Sequence, residues 1–183
     1  MKLMIASDIH GSAYYCEKMI NALKNEKADK LLLLGDILYH GPRNDLPKDY
    51  NPKRVIEMLN NISCDLLCVR GNCDTEVDQM VLNFPIMAEY CILYLNNHMI
   101  FATHGHKFNE ENTPILKKGD ILINGHTHIP KHTKHENFIY LNPGSVSIPK
   151  AGSLNGYMIY ENNEFLWKDL DGNSYDRFEL IKN

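Results

Sequence analysis

The stretch LMIASDIHG, residues 3–11, decides the fold. Its first four residues form a short apolar run, which predicts a buried strand. The run then passes directly into polar residues that include Asp8 and His10. In parallel α/β sheets, ligand sites form just beyond the carboxyl ends of the strands. The stretch therefore predicts an α/β fold whose first strand carries functional residues at its end.

Strand and helix patterns alternate through the rest of the first half. Apolar residues at helical spacing predict a helix over residues 14–24, with Ser12 as its N-cap. A second buried strand is predicted over residues 31–34, a helix from Pro52, and a third buried strand over residues 66–69. Repeated β-α-β units of this kind predict right-handed crossovers and a largely parallel sheet.

The second half is richer in strands. Asn96 and Asn97 stand between two apolar runs, which predicts a β-hairpin. Further strands are expected over residues 121–123, 133–134, 138–141, 157–160 and 165–170. We therefore expect two packed sheets with helices outside them, in a single domain over residues 1–183.

Composition narrows the class of protein. The chain has 183 residues and a net charge of −4, which argues against a nucleic-acid binder because such proteins are usually basic. No apolar run approaches the ~20 residues of a membrane helix, and the N-terminus lacks the pattern of a signal peptide. The cysteine count is five, with no CxxC pair. We expect free thiols and a cytoplasmic location.

Five polar clusters follow apolar runs. They are Ser7-Asp8-Ile9-His10-Gly11, Gly35-Asp36, Gly71-Asn72-Cys73-Asp74, Thr103-His104-Gly105-His106 and Gly125-His126-Thr127-His128. A single Asp after a strand is usually a turn or cap residue, but five clusters in this position favour one shared crevice. Their carboxylate, imidazole and amide groups suit Mn²⁺, Fe, Zn²⁺ or Co²⁺. Six or seven ligands exceed the need of one tetrahedral ion, so we predict two metal ions.

The order of these motifs resembles the calcineurin-like metallophosphoesterases. The pattern DxH, GD, GN, H and GHxH runs here from Asp8 to His128. The segments at residues 40–44, 71–79 and 142–150 are similar to the small bacterial and archaeal phosphodiesterases of the YfcE type. The resemblance implies an α/β fold built as a two-sheet β-sandwich flanked by helices in four αββα layers.

The resemblance also implies a binuclear centre and assigns its ligands. The first ion takes Asp8, His10 and His128, the second takes Asn72, His104 and His126, and Asp36 bridges them. Mn²⁺ is the expected metal, with Fe, Zn²⁺ and Co²⁺ as alternatives. A hydroxide between the ions then attacks phosphorus in line. Asp36, Asn72, His104 and Cys73 are the expected catalytic residues.

Two positions depart from the broad family pattern. Many members have His where this chain has Cys73, and Tyr39 replaces the second Asp of GDxxD. A thiol is a weaker proton donor than an imidazolium, so we expect a preference for esters with acidic leaving groups. Cys73 as a nucleophile or redox thiol is the alternative interpretation.

Three residues are predicted to contact a small phosphate-ester substrate. Arg43 either clamps a phosphate or pairs with a surface acid. Asn44 lies beside it in the loop after Asp36. His106 either faces the substrate or orients His104.

Four functions are compatible with these observations. The leading one is a metal-dependent phosphodiesterase, and the second is a phosphomonoesterase or nucleotide phosphatase with the same metals. The others are a non-catalytic protein-binding scaffold resembling the retromer subunit Vps29, and a metal-binding regulatory module. Self-association into a homo-oligomer is left open.

Overall fold

The computed structural model describes residues 1–180 of the chain. Three helices occur in that range: α1 (Ala13–Glu26), α2 (Pro52–Asn60) and α3 (Glu76–Gln79). The strands there are β1 (Leu3–Ala6), β2 (Lys30–Leu33), β3 (Asp65–Cys68), β4 (Tyr90–Leu95), β5 (His98–Thr103), β6 (Asp120–Ile123), β7 (Pro130–Lys134), β8 (Phe138–Pro143), β9 (Gly156–Glu161), β10 (Glu164–Asp169) and β11 (Ser174–Glu179).

The strands form two sheets. The first has six strands in the order β11-β10-β9-β1-β2-β3, and the second has five in the order β4-β5-β6-β8-β7. The prediction of a largely parallel first sheet is wrong. The strands β1, β2 and β3 are parallel, as the α1 and α2 crossovers require, but β9, β10 and β11 run antiparallel. Tight turns join these last strands, and such connections reverse the chain direction.

The inner faces of the two sheets share one apolar cluster. Ile5 and Leu32 of the first sheet meet Ile121 and Ile139 of the second in this core. The helices α1 and α2 pack on the outer face of the first sheet. The outer face of the second sheet is covered by Phe108 and other residues of the β5–β6 connection. The predicted fold class, a two-sheet α/β sandwich with flanking helices, is confirmed.

Capping residues explain where the two long helices begin. The side chain of Ser12 accepts the backbone N–H of Tyr15 at 3.3 Å, which confirms the predicted N-cap. Asn51 caps α2, and Pro52 occupies its first turn, where a missing N–H costs nothing. Both helices therefore start at the ends of the loops that carry Asp8 and Asp36.

Two strand predictions need correction. The strand β3 was expected to be buried, but it is the edge of the first sheet, and Leu67 is 41% exposed. The strand β11 was not predicted, because its alternation of polar and aromatic residues lacks a continuous apolar run. The single domain over residues 1–183 stays a prediction, and its last three residues lie outside the described range. Within residues 1–180, no helix is long and apolar enough to cross a membrane.

Candidate metal centre

The five predicted loops meet at the carboxyl ends of the strands that they follow, which are β1, β2, β3, β5 and β6. Backbone hydrogen bonds continue past the strand ends and tie these loops together. The N–H of Asp8 donates to the carbonyl of Gly35 (3.1 Å), and the N–H of His10 donates to that of Asp36 (2.9 Å). Because each bond joins neighbouring loops, the functional side chains are held close by the sheet itself.

Close packing of the loops requires glycine at two positions. A Cβ atom on Gly71 would lie 2.1 Å from Oδ1 of Asp36, and one on Gly125 would lie 1.9 Å from Oγ of Ser7. Real atoms do not approach so closely. These glycines therefore let the backbone of one loop press against the functional loop beside it.

Five of the predicted ligands have left-handed backbone conformations. The φ angles are 60° at Asp8, 48° at His10, 55° at Asp36, 64° at His126 and 61° at His128. Such angles are uncommon for residues other than glycine and cost on the order of 1–3 kcal/mol each. Strain of this kind clusters at functional sites, where the surrounding structure maintains it.

A first group of candidate metal ligands lies at the end of β1. The Oδ1 atom of Asp8 is 3.5 Å from Nε2 of His10 and 3.2 Å from Nε2 of His128. The two Nε2 atoms are 3.3 Å apart. All three side chains are buried, and Oδ1 of Asp8 has no hydrogen-bond partner among the described residues. A buried carboxylate oxygen without a hydrogen-bond partner fits a role as a cation ligand.

Backbone carbonyls fix the tautomers of three histidines. The Nδ1–H groups of His10, His104 and His128 donate to the carbonyl oxygens of Tyr39 (2.7 Å), Leu34 (2.6 Å) and Ile148 (2.6 Å). Because a carbonyl oxygen only accepts, the proton of each neutral ring is on Nδ1. Each Nε2 then presents its lone pair, as metal-binding histidines do.

A second group of candidate metal ligands surrounds His104. Its Nε2 atom lies 3.1 Å from Oδ1 of Asn72, 3.2 Å from Nδ1 of His126 and 3.4 Å from Oδ2 of Asp36. Oδ2 of Asp36 is also 3.6 Å from Nε2 of His10 in the first group. Asp36 thus lies between the two groups, and the donor set fits two divalent ions with nitrogen and oxygen ligands.

The close approach of buried carboxylates and imidazoles shifts the pKa values of several residues in the site. Burial raises the pKa of Asp8, but the facing rings of His10 and His128 outweigh it and hold that pKa well below the usual range. Burial lowers the pKa of His104, but the Asp36 and Asp8 carboxylates outweigh it and raise that pKa to about 9. Burial and the charge of His104 lower the pKa of His126 to about 4.

Cys73 lies beside Asp36 and His10. Its backbone N–H donates to Oδ1 of Asp36 (2.8 Å), which leaves Oδ2 free to face the histidines. The Sγ atom lies within 4.8 Å of ligand atoms of His10 and Asp36. Burial and the neighbouring Asp36 carboxylate raise the pKa of the thiol far above its usual value, so near neutral pH it is protonated.

A cleft of about 500 Å³ opens onto both groups of ligand atoms. Arg43 and Asn44, which the sequence predicts as substrate-binding residues, line this cleft. The side chain of Asn44, however, turns back and donates to the carbonyl of His40 (2.8 Å), so it also shapes its own loop. Among the described residues, the lining does not include His106. Its ring packs beside His104, with 5.5 Å between the centroids.

Sequence reasoning assigned no role to four residues that structure the site. Asp74 accepts three backbone N–H groups from the loops of Asp36 and Gly71. Ser145 and Ser147 both donate to the carbonyl oxygen of Asp8 (2.9 and 3.0 Å), and Lys150 lines the cleft. The sequence indicates a resemblance for residues 142–150 and a turn that closes the second sheet over residues 142–145, but no contact with Asp8. Hydroxyl contacts with a backbone carbonyl leave no pattern in the sequence.

Comparison with known families gives one match that spans most of the chain. The model of the calcineurin-like phosphoesterase superfamily domain matches residues 1–164. The chain is 47% identical over 163 residues to Phosphodiesterase YfcE of Escherichia coli K12, an alignment that covers 89% of both chains.

Solved structures agree with this match. The structure of Yfce, a phosphoesterase from E. coli, superposes with a TM-score of 0.95 at 43% identity and covers 99% of this chain and 100% of that one. The structure of wild-type Vps29 complexed with Zn²⁺ from Entamoeba histolytica gives a TM-score of 0.63 at 18% identity, with 98% of this chain and 99% of that one covered. At that identity, the likeness to Vps29 concerns the fold alone.

Proposed function

The chain belongs to the calcineurin-like phosphoesterase superfamily, and on that premise we propose that its cleft hydrolyses phosphate diesters with two divalent metal ions. The resemblance predicted from the five motifs is confirmed, and so is the prediction of a hydrolase that acts on phosphoric ester bonds. A relative named as a phosphodiesterase, at 47% identity, supports diesters as the substrates.

The position of Asp36 is the observation that carries the two-metal proposal. Its Oδ2 atom faces His10 on one side (3.6 Å) and His104 on the other (3.4 Å). We assign one ion to the first group and one to the second, with Asp36 shared. The first group is Asp8, His10 and His128, and the second is Asn72, His104 and His126. The nitrogen and oxygen donors suit Mn²⁺, and also Fe, Zn²⁺ or Co²⁺.

Two such ions, when bound, lower the pKa of water to near neutrality and offset the charge of the phosphoryl oxygens. The protein residues supply position and environment. The carbonyl partners of His10, His104 and His128 hold the rings with their lone pairs directed inward. Burial of Asp8 and Asp36 keeps water away from the ligand atoms, which strengthens the electrostatic interactions there.

Residues at the cleft contribute to substrate binding in this proposal. Arg43 binds a phosphate oxygen through its planar guanidinium, and Asn44 holds the loop that presents it. Cys73 is a neutral thiol beside Asp36 and donates a proton only weakly. His106 supports the rings of His104 and His126 by packing. Self-association, a cytoplasmic location and the lack of a nucleic-acid partner stay predictions.

The test measures hydrolysis by metal-stripped protein with and without added Mn²⁺. The substrates are bis(p-nitrophenyl) phosphate and p-nitrophenyl phosphate. We expect Mn²⁺-dependent cleavage that favours the diester and is lost in Asp36→Asn, a near-isosteric change that tolerates the left-handed backbone. Asp45→Asn, at an exposed position in the following loop, is the matched control and keeps its activity.

Two outcomes oppose the proposal. Cleavage mainly of the monoester would indicate a phosphatase that uses the same metals. Equal turnover by Asp36→Asn and the wild-type protein would show that the Asp36 carboxylate is not required for catalysis.

A further inference from the structure

Two cationic side chains stand at the mouth of the cleft, one from each sheet. Arg43 lies in the connection after β2, and Lys150 lies in the connection after β8. Both are exposed, and within residues 1–180 neither makes an ion pair. Several other lysines pair with acids: Lys18, Lys30, Lys107, Lys131 and Lys168. The charges at the mouth therefore remain available to a ligand.

Hydrogen bonds hold the backbone of Lys150 beside His128, a proposed metal-binding residue. Its N–H donates to the carbonyl of His128 (3.1 Å), and its carbonyl accepts the hydroxyl of Ser153 (2.7 Å). The loop of Arg43 is fixed as well, by the contacts between Asn44 and His40. Both cations thus line the same cleft, and each belongs to a loop whose backbone is anchored.

The walls of the cleft are polar. Among the described residues that line it, Pro42 supplies the one aliphatic side chain, and the others are glycine, polar or charged. Small-molecule sites are usually lined by apolar and aromatic groups. Beside its imidazole rings, this cleft presents polar and charged groups, which suit a charged substituent.

The charge at the site exceeds what a simple diester needs. Two divalent ions carry four positive charges, of which Asp8 and Asp36 neutralise two. A phosphate diester and the hydroxide nucleophile would each bring one negative charge, so the ions alone would match the two together. Arg43 and Lys150 add two more positive charges at the mouth, where they can pair with a further anion.

Building on the proposed function, we propose that the cleft selects diesters with a second phosphate group on one substituent and that Lys150, with Arg43, binds that group. The scissile phosphate lies at the metal ions, and the second one lies at the mouth. Lys150 is in this scheme a residue that determines specificity.

The test compares two chromogenic diesters that differ by one phosphate. They are thymidine 5′-(p-nitrophenyl phosphate) and its 3′-phosphorylated form, and both release p-nitrophenol. With Mn²⁺ present, we expect kcat/KM to be about fivefold higher for the 3′-phosphorylated substrate, the size expected for one exposed ion pair. In Lys150→Met that ratio falls below the wild-type value, because only Arg43 is left to bind the second phosphate, and Lys150→Arg restores it. Lys53→Met, on the exposed surface of α2, is the control and keeps the wild-type ratio.

A binding measurement separates this inference from the proposed function. Calorimetry with thymidine 3′,5′-bisphosphate and thymidine 5′-monophosphate needs no turnover. We expect tighter binding of the bisphosphate, and we expect Lys150→Met to reduce that preference. Equal ratios in the wild-type protein and Lys150→Met, in either measurement, overturn the inference while the diesterase activity stands. Selective binding without Mn²⁺-dependent turnover leaves the anion site in place and overturns the proposed function.

Discussion

The buried carboxylate of Asp74 accepts the backbone N–H of Asp36 at 2.8 Å. The same carboxylate accepts the N–H groups of Gly71 (2.7 Å) and Ile37 (2.9 Å). Asp74 therefore ties the loop after β2 to the loop after β3. Because these loops carry Asp36 and Asn72, the tie sets the spacing between two proposed metal ligands.

We predict that Asp74→Asn destabilises the protein and weakens the metal site. The amide nitrogen would face an N–H donor, so at least one buried N–H loses its acceptor at a cost of about 1–3 kcal/mol. Denaturant unfolding and Mn²⁺-dependent diester cleavage measure the two effects, with Asp45→Asn as the exposed control. Wild-type stability in Asp74→Asn would mean that the three hydrogen bonds contribute nothing.

The carbonyl oxygen of Asp8 is held by two serine hydroxyls. We predict that Ser145→Ala and Ser147→Ala each lower Mn²⁺ affinity by about tenfold, because residues that orient metal ligands typically have effects of that size. Both hydroxyls donate to this oxygen and help to hold the left-handed backbone of Asp8. Metal titration of each variant provides the measurement, and Ser174→Ala at an exposed position is the control. Unchanged affinity in both variants refutes the positioning role.

The Cys73 thiol is predicted to be dispensable as a nucleophile. Burial and Asp36 raise its pKa, so the thiolate is scarce near neutral pH. Cys73→Ser should lower kcat/KM for bis(p-nitrophenyl) phosphate by less than about tenfold, whereas loss of a true nucleophile costs about a millionfold in a serine protease. Steady-state kinetics distinguish the two cases. Loss of all turnover in a folded Cys73→Ser protein would restore the nucleophile hypothesis.

Metal affinity is predicted to rise with pH. The pKa of His104 in the metal-free protein is raised to about 9, so a proton must leave Nε2 before that atom binds metal. Below about pH 9, affinity should fall by about tenfold per pH unit for this one proton. His126, with a pKa lowered to about 4, is already neutral and adds no such dependence near pH 7.

The raised pKa of His104 also makes the folding stability of the metal-free protein depend on pH. Because the folded pKa of His104 lies above its ordinary 6.5, its stabilising contribution is full below pH 6.5 and is lost as pH rises through about 9. Calorimetric Mn²⁺ titrations between pH 6.5 and 8.5 test the predicted pH dependence of metal affinity. Affinity that is independent of pH over that range contradicts it.

The sequence was sufficient where local patterns determine structure. The run at residues 3–6, the cap at Ser12 and the proline at position 52 each specify an element by short-range physics, and all three elements are present. The five polar clusters were expected to share one crevice because the ends of parallel strands meet at one edge of a sheet, and their order resembles that of the family.

What the sequence did not reveal depends on contacts between distant segments. Whether β3 is central or an edge strand is decided by its partners, and the apolar run at residues 66–69 does not contain that information. The tie from Ser147 to Asp8 joins residues 139 positions apart. The free charge of Lys150 likewise becomes visible only once the cleft is formed.

The stoichiometry of bound Mn²⁺ and its relation to turnover test the two-metal proposal most directly. We would measure bound Mn²⁺ per chain and bis(p-nitrophenyl) phosphate cleavage together, in the wild-type protein and in His10→Gly and His126→Gly. Glycine suits the left-handed backbone at both positions. We predict two ions in the wild-type protein, one in each variant, and turnover only where both are bound. Full turnover with a single ion per chain would contradict the proposal.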